Sequence, residues 1–272
     1  MYSGTTFRKN SGNFIGVHQK IDRVARKNLT RLLTHGRNHQ FPLIREILHF
    51  EGNNGPDGIK RKSPSVDEPW HYIKPNDPND RQLIDMVEDH VYNLSEALRT
   101  NNRERAAYEA AWMAHAITDG LTPAHHFPLS DKIEQLWGKP KEERLTVIDK
   151  NVIRGYNHRD TIARNWEYWG AKGVFATHIL FELGVATSIK TTTFSKPLID
   201  IAWYNDRGAQ SVGDVFYAAV QEVYALNMYE NFWRNGWSAK LARQTRSDLI
   251  PIIVRTIAFC WYRASEQSGM LK

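Results

Sequence analysis

The apolar residues of this chain recur three and four positions apart over most of its length, which is the period of a helix with one buried face. Val17, Ile21, Val24, Ala25, Leu29 and Leu32 predict a first helix between Gly16 and Leu33, with His18 on its first turn. Gly36 ends it, and a short second helix is expected over 42–50. Periodicity returns through Leu83, Ile84, Val87, Val91, Leu94 and Leu98, predicting a helix over 81–99. Another follows over 103–119, with the row Ala107, Ala111, His115, Asp119 along one face. The stretch 128–143 is turn-rich with room for a short helix, 144–169 reads as helical with a break near Gly155, and 174–189 is a further helix. Residues 190–210 read as irregular, and two long helices are expected over 212–233 and 248–264. Pro251 is tolerated in the first turn of the last one. No stretch alternates as a half-buried strand would. The chain is therefore expected to be all-α, a single-domain multi-helix bundle over 1–272, with an irregular arm over 1–14.

One segment breaks this regularity. Residues 51–80 are rich in Gly, Pro, Asn and Asp, which predicts a long loop, and long loops inside compact domains are often functional. It carries Asp57, Asp67, Trp70, His71 and Tyr72. Composition narrows the classes further. There are 272 residues, 41% hydrophobic and 24% charged, with no apolar run of membrane-spanning length. The net charge of +6 favours encounters with polyanions, either nucleic acid or an anionic lipid surface. The N-terminus has no apolar signal segment, so the chain reads as cytoplasmic, and as secreted only if a leader is missing. The single cysteine, Cys260, excludes an internal disulfide and falls in an apolar helical run as a buried thiol.

The chemistry concentrates in WMAHAITDGLTPAHHF, residues 112–127. His115 and Asp119 stand one helical turn apart on one face, and Gly120 and Pro123 then break the helix to present His125. Imidazole, carboxylate and imidazole around a helix end suit a divalent metal such as zinc. His178 and Glu182 repeat the four-residue spacing on a later helix. His35 and His39 share it too, but Gly36 interrupts them and no role is assigned. Ligands from facing helices converging on a metal are a familiar use of a helical bundle.

These motifs resemble the zinc-dependent phospholipase C and single-strand nuclease superfamily, which includes bacterial phospholipase C, the enzymatic domain of clostridial α-toxin, and fungal and plant zinc nucleases. The resemblance rests on His115, Asp119 and His125, on His178 with Glu182, on Asp57 fourteen residues before His71 in the context WHYIKPNDP, and on the early His18. It spans residues 18–182, and the third of the chain after Glu182 carries no matching motif. The resemblance implies an all-α fold with two or three zinc ions per chain. One zinc would take Asp57, His71, His115 and Asp119; a second would take His125, His178 and Glu182; a third would take His18 and share Asp119 as a bridge. It further implies hydrolysis of phosphate esters by a hydroxide formed from a water shared between the bridged metals, with Asp57 orienting or deprotonating that water. Two departures stand out. In secreted members the N-terminal residue, a tryptophan, supplies further ligands to the third zinc, whereas the first tryptophan here is Trp70 and Met1 lies far ahead of His18. The separation of His125 from His178 is also long, and the added segment contains His158, an alternative to His178. Asp67 competes with Asp57 as the loop ligand.

Trp70, Tyr72, His126 and Phe127 flank these residues and are candidates to contact substrate. The expected function is a phospholipase C-like phosphodiesterase. The alternatives are a single-strand nuclease, and a non-catalytic helical protein that zinc stabilises.

Overall fold

A computed structural model of the chain describes residues 1, 16–33, 40–58, 71–140, 143–144, 146–199 and 201–270. Among these residues every regular element is helical and there is no strand. The two central helices are α3 (Gln82–Arg99) and α4 (Arg103–Gly120), joined by a turn of three residues in which Asn101 takes a left-handed conformation and Asn102 caps α4 by accepting from the Arg105 N–H. On α4, Ala106, Ala107, Ala110, Ala111 and Ala114 are all buried, and these small side chains let neighbouring backbones approach closely. Trp261 uses that space: its fully buried indole donates to the Ala110 carbonyl at 3.0 Å.

Around this pair the chain places α1 (Val17–Leu32), the short α2 (Ile44–Ile47), α5 (Leu129–Trp137), α6 (Val147–Asn151), α7 (His158–Trp169) and α8 (Val174–Ile189). Then follow α9 (Ile201–Asp206), α10 (Val212–Ala225), α11 (Met228–Asn235), α12 (Ala239–Gln244) and α13 (Ile250–Gln267). Helix α13 packs against α1, α3, α4 and α10, and one continuous hydrophobic core takes in residues from Met1 to Ala264. A separate cluster of Ile133, Ile153 and Tyr168 holds α5 and α7 together. No helix among the described residues is long and apolar enough to cross a membrane.

Four boundaries differ from the sequence expectation. The 212–233 helix is divided at Asn227, whose left-handed backbone ends one helix and starts the next. The segment 190–210 contains α9, where Tyr204 is buried against Phe259 and Tyr262. The last helix is reached through a π-helical turn, Thr245–Leu249, directly before Pro251. A proline ring has no N–H to give and clashes with the carbonyl four residues earlier, and the wider turn relieves both problems. The 51–80 loop is more ordered at its start than its composition suggests, with a 3₁₀ turn at Gly52–Asn54. The 1–14 arm apart from Met1, and also His35, His39, Asp67 and Trp70, lie outside the described residues.

Gly120 closes α4 where space is tightest. A Cβ there would meet Leu83 Cδ2 at 2.6 Å and Phe216 Cζ at 2.7 Å, so α3 and α10 sit too close for any side chain. Gly120→Ala is therefore expected to lower unfolding stability by about 1–3 kcal/mol through overpacking, read as a reduced urea midpoint with an unchanged slope.

Candidate metal centre

The C-terminal turn of α4 sets the geometry. His115 and Asp119 leave one face of the helix, with His115 Nε2 3.4 Å from Asp119 Oδ2. Beyond Gly120, Thr122 and Pro123 open a 3₁₀ turn, Pro123–His126, that carries His125 back over the helix end. The His125 Nδ1–H donates to the His71 carbonyl at 2.8 Å, which fixes the tautomer and leaves Nε2 to face Glu182 Oε1 at 3.0 Å. From α8, His178 Nε2 approaches the same Glu182 oxygen at 3.1 Å. His125, His178 and Glu182 thus form a buried trio with ligand-capable atoms within 4.8 Å of one another.

A second trio of the same kind comprises His18 from α1, His115 from α4 and Glu51. The His18 and His115 rings stack with centroids 3.9 Å apart. The Nε2 of His18 is 3.3 Å from Asp119 Oδ1, while Glu51 faces the opposite edge of His115, with Oε1 3.4 Å from Nδ1. Asp57 Oδ1 is 3.8 Å from His115 Nε2, so the loop acid reaches this cluster as well, and its side chain is the most exposed of the acids there. Between the trios lies Met1. Its amino group pairs with Asp119 and stands 3.5 Å from Glu182, and its carbonyl accepts from His18 Nε2 at 2.8 Å.

The electrostatics are those of a set of charges held out of water. Burial alone would push the Asp119 carboxyl up; the Met1 ammonium with His125, His115 and His18 outweighs it and holds the group well below the carboxylate range. Burial would raise the Glu182 carboxyl too, and the Met1 ammonium with the neighbouring His125 and His178 rings holds it well below normal. For His115 burial disfavours the charged ring, yet Glu51 and Asp119 raise its pKa well above normal. The Met1 amine is raised to about 10 by Asp119 and Glu182 against its burial. Several buried polar atoms still lack a hydrogen-bond partner: His18 Nδ1, His178 Nδ1, Glu51 Oε1 and both oxygens of Asp22. Four imidazoles (His18, His115, His125, His178) and the carboxylates of Glu51, Asp57, Asp119 and Glu182 converge here, a donor set that suits divalent cations, which take N and O ligands and supply positive charge.

Of the residues singled out in the sequence, His18, Asp57, His115, Asp119, His125, His178 and Glu182 are brought into this one connected cluster. His71 stands beside it, its ring 5.4 Å from that of His125. The ring of Tyr72 stacks on His125 at 5.2 Å. His126 is buried, donates from Nε2 to the Gly120 carbonyl, and is lowered to about 4 by burial. Phe127 is half exposed and stacks on Tyr229 at 5.2 Å. His158 is exposed at the start of α7.

Glu51 and Asp22 escaped the sequence reading, and Met1 was set aside there for its distance from His18. Met1 is distant in the chain from His18 but adjacent in space. Glu51 opens a loop and carries no spacing signal. Asp22 does carry one: it stands four residues after His18 on α1, the same spacing as His115/Asp119 and His178/Glu182, and burial together with Glu51 raises its pKa well above normal.

No family model matches the chain, and no curated protein matches it in sequence. Among solved structures it is similar to the alpha-toxin of Clostridium perfringens isolated from an avian strain, with a TM-score of 0.57 over 93% of this chain at 11% identity. The match covers 64% of that toxin chain, and it is a likeness of fold.

Two outcomes follow from the geometry. Glu51→Gln keeps the side chain's shape and removes its charge behind His115, so zinc affinity should fall roughly 10–100-fold in a chelator competition. Metal must also displace protons. With the pKa of His115 raised and that of the Met1 amine at about 10, both groups carry protons at neutral pH before loading. Zinc affinity should therefore fall as pH is lowered, and calorimetry in buffers of different ionisation enthalpy should detect protons released on binding.

Proposed function

We propose that this chain is a zinc-dependent phosphoric ester hydrolase, most simply a phospholipase C-like phosphodiesterase holding two or three zinc ions. The observation that carries the reading is the join between the two buried trios through Asp119 and the Met1 amine, within a fold like that of alpha-toxin. In this reading Asp57, His71, His115 and Asp119 hold one ion. His125, His178 and Glu182 hold a second. His18 and the Met1 amine and carbonyl, together with Asp119, would hold a third. Zinc there supplies a Lewis acid that acidifies water near neutral pH and carries charge developing on phosphate.

The chain's own groups do the rest. The Asp119 carboxylate spans the space between His18 and His115, and so sets the spacing of any ions they hold. Asp57, the accessible acid of the cluster, is placed to orient a water or accept its proton. Beside the site a cavity of about 770 Å³ is lined by Lys74, His126, Phe127, Met228, Tyr229 and Trp233 among others. Its aromatic and apolar walls favour a lipid-bearing phosphodiester, and its Lys74 is paired with Asp131 at 2.6 Å. The net charge of +6 and the Phe127–Tyr229 stack favour the second reading, a single-strand nuclease.

Purified protein is expected to contain two or three zinc ions per chain by elemental analysis, and chelation should lower its melting temperature, because bound metal stabilises the folded state alone. It should hydrolyse bis-p-nitrophenyl phosphate, and phosphatidylcholine in preference to single-stranded DNA. Asp119→Asn should remove more than one ion and reduce turnover roughly a hundredfold or more. Folded protein without zinc, or Asp119→Asn with full metal content and rate, would overturn the reading.

A further inference from the structure

Helix α7 turns a row of large apolar side chains to the outside. Ile162, Trp166 and Trp169 follow one another at one-turn spacing on a single face and are 55%, 71% and 38% exposed. The row continues onto neighbouring segments. The Trp169 indole donates to the Asn151 carbonyl at 2.9 Å, beside exposed Val152. Phe175 of α8 packs on Trp169 at 4.8 Å, and Ile179, one turn further along α8, is exposed again. This is a contiguous apolar face, unlike the single exposed residues that any surface carries.

The charge around the face is mainly positive. Arg159, one turn before Ile162, is exposed, as are Lys172 just past Trp169 and Arg154, which Asp149 reaches at 3.5 Å. The helix's own acids are engaged by other cations: Asp160 with Arg164 at 2.9 Å, and Glu167 with Lys132 of α5 at 2.9 Å. The Glu167–Lys132 pair also locates the face, because Lys132 lines the cavity beside the metal centre. Val174, the residue before Phe175, lines the same cavity. The apolar row therefore sits on a helix that neighbours two of the cavity's lining residues, Lys132 and Val174.

We infer that the outer face of α7, with Val152 and Ile179, docks the protein on an anionic lipid surface and sets the cavity mouth against the headgroups. Tryptophan is at home at such an interface, with an apolar body and one polar N–H. Aliphatic side chains sink between acyl chains, and basic residues at the margin meet anionic headgroups. A nucleic-acid strand fits less well, since Ile162, Val152 and Ile179 offer no ring for a base to stack on. The choice of a lipid surface rests on the phospholipase reading above.

The test uses zinc-loaded full-length protein and sedimentation with vesicles of phosphatidylcholine, with and without phosphatidylglycerol. Binding should be stronger to the anionic vesicles. Trp166→Ala, at an exposed position, should weaken it about tenfold and leave turnover of soluble bis-p-nitrophenyl phosphate unchanged. Arg159→Glu should abolish the preference for anionic vesicles. Wild-type protein that stays in the supernatant, or Trp166→Ala protein that sediments like wild type, overturns the inference. So does a Trp166→Ala defect in single-stranded DNA binding or in self-association with vesicle binding intact. Turnover without vesicle binding removes the docking face alone; Trp166-dependent vesicle binding without turnover or zinc removes the enzyme reading alone.

Discussion

A buried carboxylate with four positive or polarisable neighbours organises this molecule. Asp119 sits at the end of α4 among His18, His115, His125 and the Met1 amine, with its side chain almost completely out of water. An isolated carboxylate in such a place would be neutral or would destabilise the fold. It is held ionised because three separate parts of the chain, α1, the Pro123–His126 turn and the first residue, bring charge or hydrogen-bond donors to it. The close packing behind it follows from the same need: the alanine face of α4 and Gly120 let α3, α10 and α13 approach closely enough to exclude solvent.

That arrangement is strained in charge and relaxed in packing. The apolar residues around it are buried in one core, whereas His18, Asp22, Glu51 and His178 each keep a buried polar atom without a partner. Buried polar atoms without partners cost stability, and here they gather on side chains whose types suit divalent-metal ligation. The outer face of α7 shows the complementary departure, with large apolar side chains left in water beside the cavity mouth. Both features meet α8, the first through His178 and Glu182 and the second through Phe175 and Ile179.

Much of this was legible in one dimension. Helical pairs such as His115/Asp119 and His178/Glu182 are local, because a four-residue spacing on a helix fixes which side chains share a face. The amphipathic periods located most helices for the same reason. Two of the departures fell where a single residue's backbone decided the outcome: Asn227 divided one helix, and Pro251 follows a wider turn before another. Helix α9 was missed because its order comes from Tyr204 packing on Phe259 and Tyr262, far along the chain.

The sequence by itself determined the all-α class, the two ligand-bearing helices and the turn that presents His125, since each depends on contacts within one or two helical turns. Only the tertiary structure decided that these pieces share one centre. It set Glu51 behind His115, placed Met1 between Asp119 and Glu182, and stacked His18 on His115. Those contacts join residues tens to more than a hundred positions apart, and their energy comes from packing and charge in three dimensions, which no spacing along the chain encodes. The motif at 112–127 supplies candidate ligands, and the fold gathers them into one cluster.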